Sequence, residues 1–181
     1  MSPRTALLAL DETDLLLLPP LRAGWARRGQ PAPVPLSGQN ARRTVFGSLN
    51  LRTAHALLRA QSHKRAQNFQ AFLRFIHAPY RGGSVALLLD ENSCHTAQSS
   101  LRLAHAPGIP LVWLPKRSPH LNPVEPLGRE AKGLICAHYQ DACLDHQVGQ
   151  FIDYLQNLSA TERLRKAGVL SKNFWLRGVR H

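Results

Sequence analysis

Three acidic residues of this sequence stand where carboxylates can do chemistry. Asp11 follows the apolar run Ala6–Leu10, and Asp90 follows the run Val85–Leu89. Both runs have the composition of buried strands, and the carboxyl ends of strands in an open α/β sheet border a common crevice. A third acid, Glu125, lies in the first turn of a predicted helix that follows the next strand. We expect the three carboxylates to converge on one point.

Converging carboxylates of this kind predict a metal site. Like charges at short distance repel unless a cation lies between them, and hard oxygen ligands suit Mg²⁺ or Mn²⁺. Three acids that hold two such ions about 3.5–4 Å apart can carry out in-line displacement at a phosphodiester, because one ion activates the attacking oxygen and the other stabilises the leaving oxygen. Asp11, Asp90 and Glu125 are therefore both the predicted catalytic residues and the predicted ligands of two ions.

Each acid also has an ordinary structural explanation. Asp11 could simply mark a strand end, and Glu125 could be a helix-start residue favoured by the helix dipole. Asp90 is harder to explain in this way, since a charge directly after five buried apolar positions usually has a partner. Neighbouring acids rank second, because successive side chains of a strand point to opposite faces. These second-ranked acids are Glu12, Asp14 and Glu91.

The net charge indicates the kind of partner. Lys and Arg outnumber Asp and Glu by 23 to 11, and the isoelectric point is about 10.8. Such a surplus favours a polyanion, because neutralised phosphates release condensed counterions. A solubilising surface, a ribosomal role or a membrane-surface role stays open on charge alone. No apolar run approaches the ~20 residues of a membrane span, so we expect no membrane partner and a cytoplasmic location, on nucleoid-associated DNA.

The cysteines favour a reducing compartment with free thiols, because three of them occur without any CxxC pair. Cys136, His138, Cys143 and His146 cluster in sequence and could be imagined as zinc ligands. Their spacing matches no common zinc finger, and they fall in a stretch that we interpret as helical. Packing is the favoured explanation of this cluster.

Hydrophobic patterning predicts one α/β domain over residues 1–181, with a mixed sheet. An antiparallel hairpin comes first, and parallel strands joined by crossover helices follow. Residues 19–38 form an irregular loop, and 159–181 form a last helix with a basic tail. The predicted strands are Thr5–Leu10, Thr44–Asn50, Thr53–Ala60, Ser84–Leu89 and Ile109–Leu114; the predicted helices have an apolar face at Phe69–Ile76, cover Thr96–Ala106, run from Asn122 to about His138, cover Gln147–Leu158, and open with a capping box at Ser159–Glu162.

Three sequence segments resemble a known family. Residues 114–125, LPKRSPHLNPVE, resemble the LP..SP.LNP.E signature of mariner-type insertion-sequence transposases. Residues 87–90, LLLD, with His95 downstream, resemble the strand that carries the second aspartate of that family, and Asp11 with the acid after it resembles the first. The second and third acids are separated by 34 residues, positions 91 to 124, which is similar to the glutamate-ending branch of the family.

The resemblance implies the catalytic domain of a DDE superfamily endonuclease with an RNase H-like fold, helices on both faces of the sheet, and Asp11, Asp90 and Glu125 as the metal-binding triad. It further implies Mg²⁺- or Mn²⁺-dependent cleavage at transposon ends, strand transfer into target DNA, and a homodimer assembled on DNA. The helix-turn-helix region that precedes this domain in the family is expected to be absent, and an upstream-encoded segment of that kind is a candidate partner. The alternatives are another RNase H-like nuclease, or an idle DNA-binding or oligomerising remnant.

Residues around the triad have predicted supporting roles. His95 either orients a carboxylate, a metal-bound water or a phosphate, or is an ordinary polar residue near a helix start. Asn122 is the predicted N-cap of the helix that carries Glu125. Trp25 could stack on a splayed base, although packing of its loop is the favoured explanation.

Four basic residues are candidates for DNA contact. Lys116 and Arg117 lie on the turn that leads to Glu125, and that turn must border the crevice. Arg129 and Lys132 follow Glu125 at i+4 and i+7, so they can lie on the same helix face and contact phosphate. A solvated helix face is the more common explanation for charges of the latter kind.

Overall fold

Five of the described segments form one mixed sheet with the strand order β3-β2-β1-β4-β5. The computed structural model describes residues 5–20, 25–30, 33–34, 36–106, 108–137 and 140–176. β1 pairs antiparallel with β2, and β2 with β3, whereas β4 pairs parallel with both β1 and β5. This arrangement confirms the expected mixed sheet. The strands are β1 (Ala6–Leu16), β2 (Arg42–Asn50), β3 (Ala56–Gln61), β4 (Val85–Leu89) and β5 (Leu111–Trp113).

Helices cover both faces of this sheet, as expected. One apolar core lies between the sheet and the first three helices, and the other lies between the sheet and the fourth and fifth helices. None of the helices in the described ranges is long and apolar enough to cross a bilayer. The helices are α1 (Ala66–His77), α2 (Ser93–Thr96), α3 (Gln98–His105), α4 (Glu125–Ile135), α5 (Leu144–Asn157) and α6 (Ala160–Lys166).

β4 is the central strand that its composition predicts. All five of its residues are buried, and apolar neighbours cover both of its faces. Leu87 and Leu89 contribute to the core under α1–α3, whereas Ala86 and Leu88 contribute to the core under α4 and α5.

β1 is longer than predicted. The sequence places its end at Leu10, but the strand continues through the acidic stretch to Leu16. Antiparallel pairing with β2 extends to the pair Leu16↔Arg42, and the Asp14 carboxylate accepts a hydrogen bond of 2.6 Å from the Thr44 hydroxyl. The acids resemble a strand end in sequence, but their cross-strand partners keep them in the sheet.

Several helix and strand limits differ from the prediction. The helix expected over Thr96–Ala106 is broken at Ala97, where extended backbone separates α2 from α3. α4 begins at Glu125 with Val124 as its N-cap, and it ends at Ile135. The hairpin connection is a five-residue turn, 51–55, rather than a two-residue one. At the other end of the chain, the capping box of Ser159 and Glu162 is confirmed.

Candidate active site

Asp11 projects from β1 toward α4. Side chains alternate along β1, so that Leu7, Ala9 and Leu15 pack in the core under α4 and α5, while Leu8 and Leu10 pack under α1. Asp11 belongs to the former set. Its Oδ1 accepts a hydrogen bond of 2.9 Å from the backbone N–H of Glu12.

Asp90 is the first residue after β4, one strand away from Asp11. The parallel ladder between β1 and β4 ends at the pair Ala9↔Leu88, so each aspartate comes two residues after that pair. The Oδ1 of Asp90 accepts a hydrogen bond of 3.2 Å from the backbone N–H of Asn92. Its side chain is about half exposed, at 49%.

Glu125 reaches the same place from the turn between β5 and α4. Asn122 anchors this turn, because its Nδ2 donates a hydrogen bond of 2.9 Å to the backbone carbonyl of Leu10, and its Oδ1 accepts one of 3.1 Å from the N–H of Val124. The sequence predicts Asn122 as a helix N-cap, and that assignment is wrong, since the helix begins three residues later. The side chain instead joins the turn to β1, next to Asp11.

The three predicted acids line one open pocket of about 190 Å³. Asp11, Asp90 and Glu125 thus border one cavity, while their shared role as metal ligands stays a prediction. The other residues that line it are Leu114, Pro115, Arg117, Ser118, Pro119 and Asn122.

The surroundings of Asp11 disfavour the charged form of its carboxyl group. Burial, followed by the negative charge of Glu12, raises the pKa of Asp11 from 3.8 to about 7, and Glu125 adds to the rise. The hydrogen bond from the Glu12 N–H and the charge of Lys64 oppose this shift without cancelling it. A carboxylate held in this state is stabilised by a bound cation.

His95 is buried between two carboxylates. Its Nδ1 lies 3.0 Å from the Oδ1 of Asp90 and 2.9 Å from the Asp90 carbonyl oxygen, and its Nε2 contacts the Oε1 of Glu12. Because both ring nitrogens face oxygen acceptors, both carry a proton. Burial lowers the pKa of His95, but hydrogen bonds to Asp90, Cys94 and Glu12 outweigh it and raise the pKa to about 12. The bond from His95 holds the pKa of Asp90 below its usual value.

Glu12 is a buried residue that the sequence ranked only as a substitute. Its side chain is 1% exposed, and its Oε2 forms an ion pair with the Nζ of Lys64 at 2.8 Å. Glu12, Cys94 and His95 bring three ligand-type atoms within 4.8 Å of one another, but the Lys64 ammonium already neutralises this cluster. The sequence signal for Glu12 is the alternation of β1, which places it on the face of Leu8 and Leu10 rather than that of Asp11.

The two remaining second-ranked acids do not line the pocket. Asp14 bonds to Thr44 and lies 3.8 Å from Arg42, and Glu91 pairs with Lys116 at 3.2 Å. Their positions favour the first-ranked set.

The predicted DNA-binding residues lie at different distances from the acids. Arg117 lines the pocket, with a left-handed backbone at φ 58°, and Arg129 donates to the Oε1 of Glu125 at 3.0 Å. Lys116 is exposed beside the pocket and pairs with Glu91. Lys132 is half-buried and is not among the described residues that line the cavity.

Two expectations concern residues away from the pocket. Packing was favoured for Trp25, but this side chain is fully exposed, so that expectation is wrong.

Within the cysteine-histidine cluster, the Sγ of Cys143 caps α5 by accepting the N–H of His146 at 3.4 Å, and His146 pairs with Asp141 at 2.7 Å. Cys136 is buried, and His138 lies outside the described residues. The stretch between Ile135 and Leu144 is not helical where it is described, contrary to expectation.

Residues 6–143 match the family model described as DDE superfamily endonuclease. The chain belongs to this family. Among curated proteins it is similar to the insertion element IS630 uncharacterized 39 kDa protein of Shigella sonnei, with 28% identity over 151 residues. That alignment covers 82% of this chain and 44% of the relative, so this DDE chain spans less than half of the relative's length.

Solved structures of the Mos1 mariner transposase share the fold of this DDE chain. The Mos1 strand transfer complex matches with a TM-score of 0.68 at 15% identity, over 90% of this chain and 50% of that one. The Mos1 catalytic domain alone matches with a TM-score of 0.64 at 12% identity, over 90% of this chain and 75% of that one. The expected RNase H-like fold is confirmed.

Proposed function

We propose that this chain is the catalytic domain of a DNA transposase, which cleaves phosphodiesters at transposon ends and transfers the strand into target DNA. The observation that carries the proposal is the convergence of Asp11, Asp90 and Glu125 on one pocket. The match to the DDE endonuclease family supports it, as do the similarity to an insertion-element protein and to the Mos1 complexes.

The chemistry of the pocket fits Mg²⁺ or Mn²⁺. Its acidic side chains offer carboxylate oxygens, which these hard cations prefer. Burial and neighbouring negative charge raise the pKa of Asp11, so a bound cation would stabilise the charged form of this side chain. Structures of Mos1 paired-end complexes with Mn and with Mg carry the same fold. Two bound ions would activate the attacking water or 3′-hydroxyl and stabilise the leaving oxygen.

The protein's own contribution is to fix the three ligands from two directions. Asp11 and Asp90 project from adjacent strands of the sheet, and Glu125 projects from the start of α4. The Oδ1 atoms of Asp11 and Asp90 accept hydrogen bonds from backbone N–H groups, and these bonds help to orient both carboxylates. Arg129 holds Glu125 by a hydrogen bond and is itself well placed to contact a phosphate that enters the pocket.

DNA is the proposed substrate. The net charge of +12 favours DNA binding, because Lys and Arg side chains that neutralise phosphates release condensed counterions. The proposed phosphate contacts are Lys116, Arg117, Arg129 and Lys132. Arg117 lines the pocket, and Arg129 is hydrogen-bonded to Glu125. We further propose a homodimer assembled on two DNA ends, in line with the paired-end complexes of Mos1, together with a separately encoded helix-turn-helix segment for end recognition.

Cleavage by an Asp90→Asn variant tests the proposal. Wild-type protein is incubated with Mn²⁺ and labelled duplex DNA carrying transposon-end sequence, and nicking and strand transfer are measured on a denaturing gel. We expect the substitution to abolish both reactions and to leave DNA affinity intact, since Asp90 contacts no phosphate directly in the proposed arrangement. The matched control is Asp14→Asn, which removes a carboxylate of the same sheet that lies outside the pocket.

Three outcomes would contradict parts of the proposal. Retained cleavage by Asp90→Asn would remove Asp90 from the catalytic set. Cleavage of RNA:DNA hybrids or junctions without strand transfer would indicate another RNase H-like nuclease. Failure of the wild-type chain to bind Mn²⁺, with or without DNA, would indicate an idle DNA-binding module.

A further inference from the structure

A line of four charged side chains leads from the surface to the predicted ligand Asp90. The Nζ of Lys64 lies 2.8 Å from the Oε2 of Glu12, the Oε1 of Glu12 contacts the Nε2 of His95, and the Nδ1 of His95 lies 3.0 Å from the Oδ1 of Asp90. The side chains of Glu12 and His95 are 1% and 0% exposed. Burying two such groups is costly unless each is paired, so their retention calls for an explanation.

We infer that Glu12 and Lys64 are positioning residues, which act through His95 to hold one carboxylate oxygen of Asp90 and leave the other free for a metal ion. This inference rests on the proposed function, because it takes Asp90 to be a metal ligand.

The hydrogen bonds to Asp90 are distributed unequally between its two oxygens. The Oδ1 receives both the His95 Nδ1–H and the backbone N–H of Asn92, at 3.0 and 3.2 Å. The Oδ2 receives neither of these donors. A carboxylate held in this way has a fixed orientation and one oxygen without these donors, and outer partners that orient a ligand in this manner strengthen metal binding.

His95 is itself held too firmly to turn away from Asp90. Its ring packs against Phe69, with centroids 4.5 Å apart, and α2, on which it lies, is capped by the side chain of Asn92, which accepts the N–H of Cys94. The hydroxyl of Ser100 donates a hydrogen bond of 2.8 Å to the Cys94 carbonyl. The position of His95 is thus fixed from the ring and from the backbone.

Basic and acidic side chains alternate along the line, in the order Lys64, Glu12, His95 and Asp90. The buried Glu12 side chain thus lies between the Lys64 ammonium, at 2.8 Å, and the His95 ring. The ammonium also explains why Glu12, Cys94 and His95 are better interpreted as part of this line than as a second metal site.

Mn²⁺ affinity of the 181-residue protein tests the inference, measured by isothermal titration with thermal unfolding as a check on folding. His95→Phe keeps the ring but removes both donors, and the double variant Glu12→Gln/Lys64→Met removes the anchoring pair without leaving one charge isolated. We expect each to weaken Mn²⁺ binding by roughly 10- to 100-fold, as loss of outer partners of metal ligands usually does. His95→Asn, whose amide N–H can take the place of the Nδ1–H that faces Asp90, should recover part of the loss.

A control variant and the wild-type titration distinguish failure of this inference from failure of the proposed function. Asp14→Asn removes a carboxylate two residues from Glu12 on the same face of β1 and should leave Mn²⁺ affinity unchanged. If wild-type protein fails to bind Mn²⁺, or Asp90→Asn binds it equally well, the proposed function fails. If wild type binds, Asp90→Asn does not, and the double variant still binds like wild type, then the line is merely structural and the inference is overturned. Should His95→Phe not fold, the double variant and His95→Asn decide.

Discussion

Asn122 and Leu10 are 112 positions apart in the chain and are joined by a hydrogen bond of 2.9 Å between the side-chain Nδ2 and the backbone carbonyl. Leu10 is the first residue of β1 beyond its last pair with β4, Ala9↔Leu88. The side chain of Asn122 therefore donates to a carbonyl of β1 that lies beyond the end of the parallel ladder. In doing so it holds the turn before Glu125 against the strand that carries Asp11.

Replacing Asn122 by alanine should weaken both folding and metal binding. The side chain is 4% exposed, so its loss leaves the Leu10 carbonyl and the Val124 N–H without this partner, at a cost of about 1–3 kcal/mol. Denaturant unfolding measures the stability, and Mn²⁺ titration measures the site. Asn68→Ala, which removes a less buried amide bonded to Gln61, is the control and should leave Mn²⁺ affinity unchanged. Equal Mn²⁺ affinity in the Asn122 variant would show that Glu125 needs no such anchor.

Asp11→Asn should stabilise the protein in the absence of divalent metal. The pKa of Asp11 is about 7 in the folded state against 3.8 for the free side chain, so the charged form is disfavoured by folding at high pH. This cost is fully present above pH 7. It disappears as pH falls from 7 toward 4, because the folded state takes up the proton near pH 7 and the unfolded chain only near pH 4. The difference corresponds to up to about 4 kcal/mol. Unfolding in EDTA at pH 8 and pH 5 should show a gain that is larger at pH 8.

Saturating Mn²⁺ should reverse this order. Wild-type protein gains stability by binding the ion, whereas Asp11→Asn lacks a ligand and gains little. Asp153→Asn, an exposed substitution on α5, should change neither series by more than about 0.5 kcal/mol. A metal-free variant that is less stable than wild type at pH 8 would contradict the unfavourable burial of the Asp11 charge.

Arg129→Ala should affect DNA binding more than folding. The pair with Glu125 is an exposed i,i+4 interaction, and such pairs contribute no more than about 0.5 kcal/mol. If Arg129 contacts a phosphate, its removal should lower affinity for all DNA sequences and reduce the salt dependence by about one counterion. Fluorescence anisotropy across a salt series measures both. Arg74→Ala, an exposed substitution on α1 at the other face of the sheet, should leave the slope unchanged.

Trp25→Ala should lower DNA affinity and leave the thermal unfolding temperature unchanged. Its side chain is fully exposed and lies in a basic segment with Arg27 and Arg28, and stacking of a base on such a ring contributes about 1–3 kcal/mol. Affinity for a single-stranded or frayed DNA end is the appropriate measurement. Leu36→Ala removes another exposed apolar side chain and serves as the control. A fall in unfolding temperature for Trp25→Ala alone would instead indicate a packing role.

The parts of the fold that local patterns determine were predictable from the sequence. The uniform apolar run of β4 and the apolar face of α1 at Phe69, Phe72 and Ile76 are each confirmed by burial. Asp11 and Asp90 were placed because each follows an apolar run, whereas Glu125 was placed by the start signals of its helix. Short-range hydrophobic patterning therefore located two of the three acids on the fold.

Contacts between distant residues account for what the sequence did not predict. The true end of β1 depends on cross-strand partners in β2, among them Thr44. Glu12 appeared to be a spare acid because its partner His95 lies 83 positions away. Asn122 had a good N-cap sequence, yet its side chain donates to a strand whose approach only the folded chain reveals.

The sheet rises further on one side of the acids than on the other. β1 stays paired with β2 as far as Leu16↔Arg42, and β2 with β3 as far as Thr44↔Gln61. In contrast, β4 ends at Leu89 and β5 at Trp113. Within the described residues, the carboxylates thus lie where the two shorter strands end, beside the three longer ones. We expect a DNA backbone to approach over the shorter strands, past Arg117. The direction of approach would then be set by the unequal lengths of the strands and not by any contact with a base.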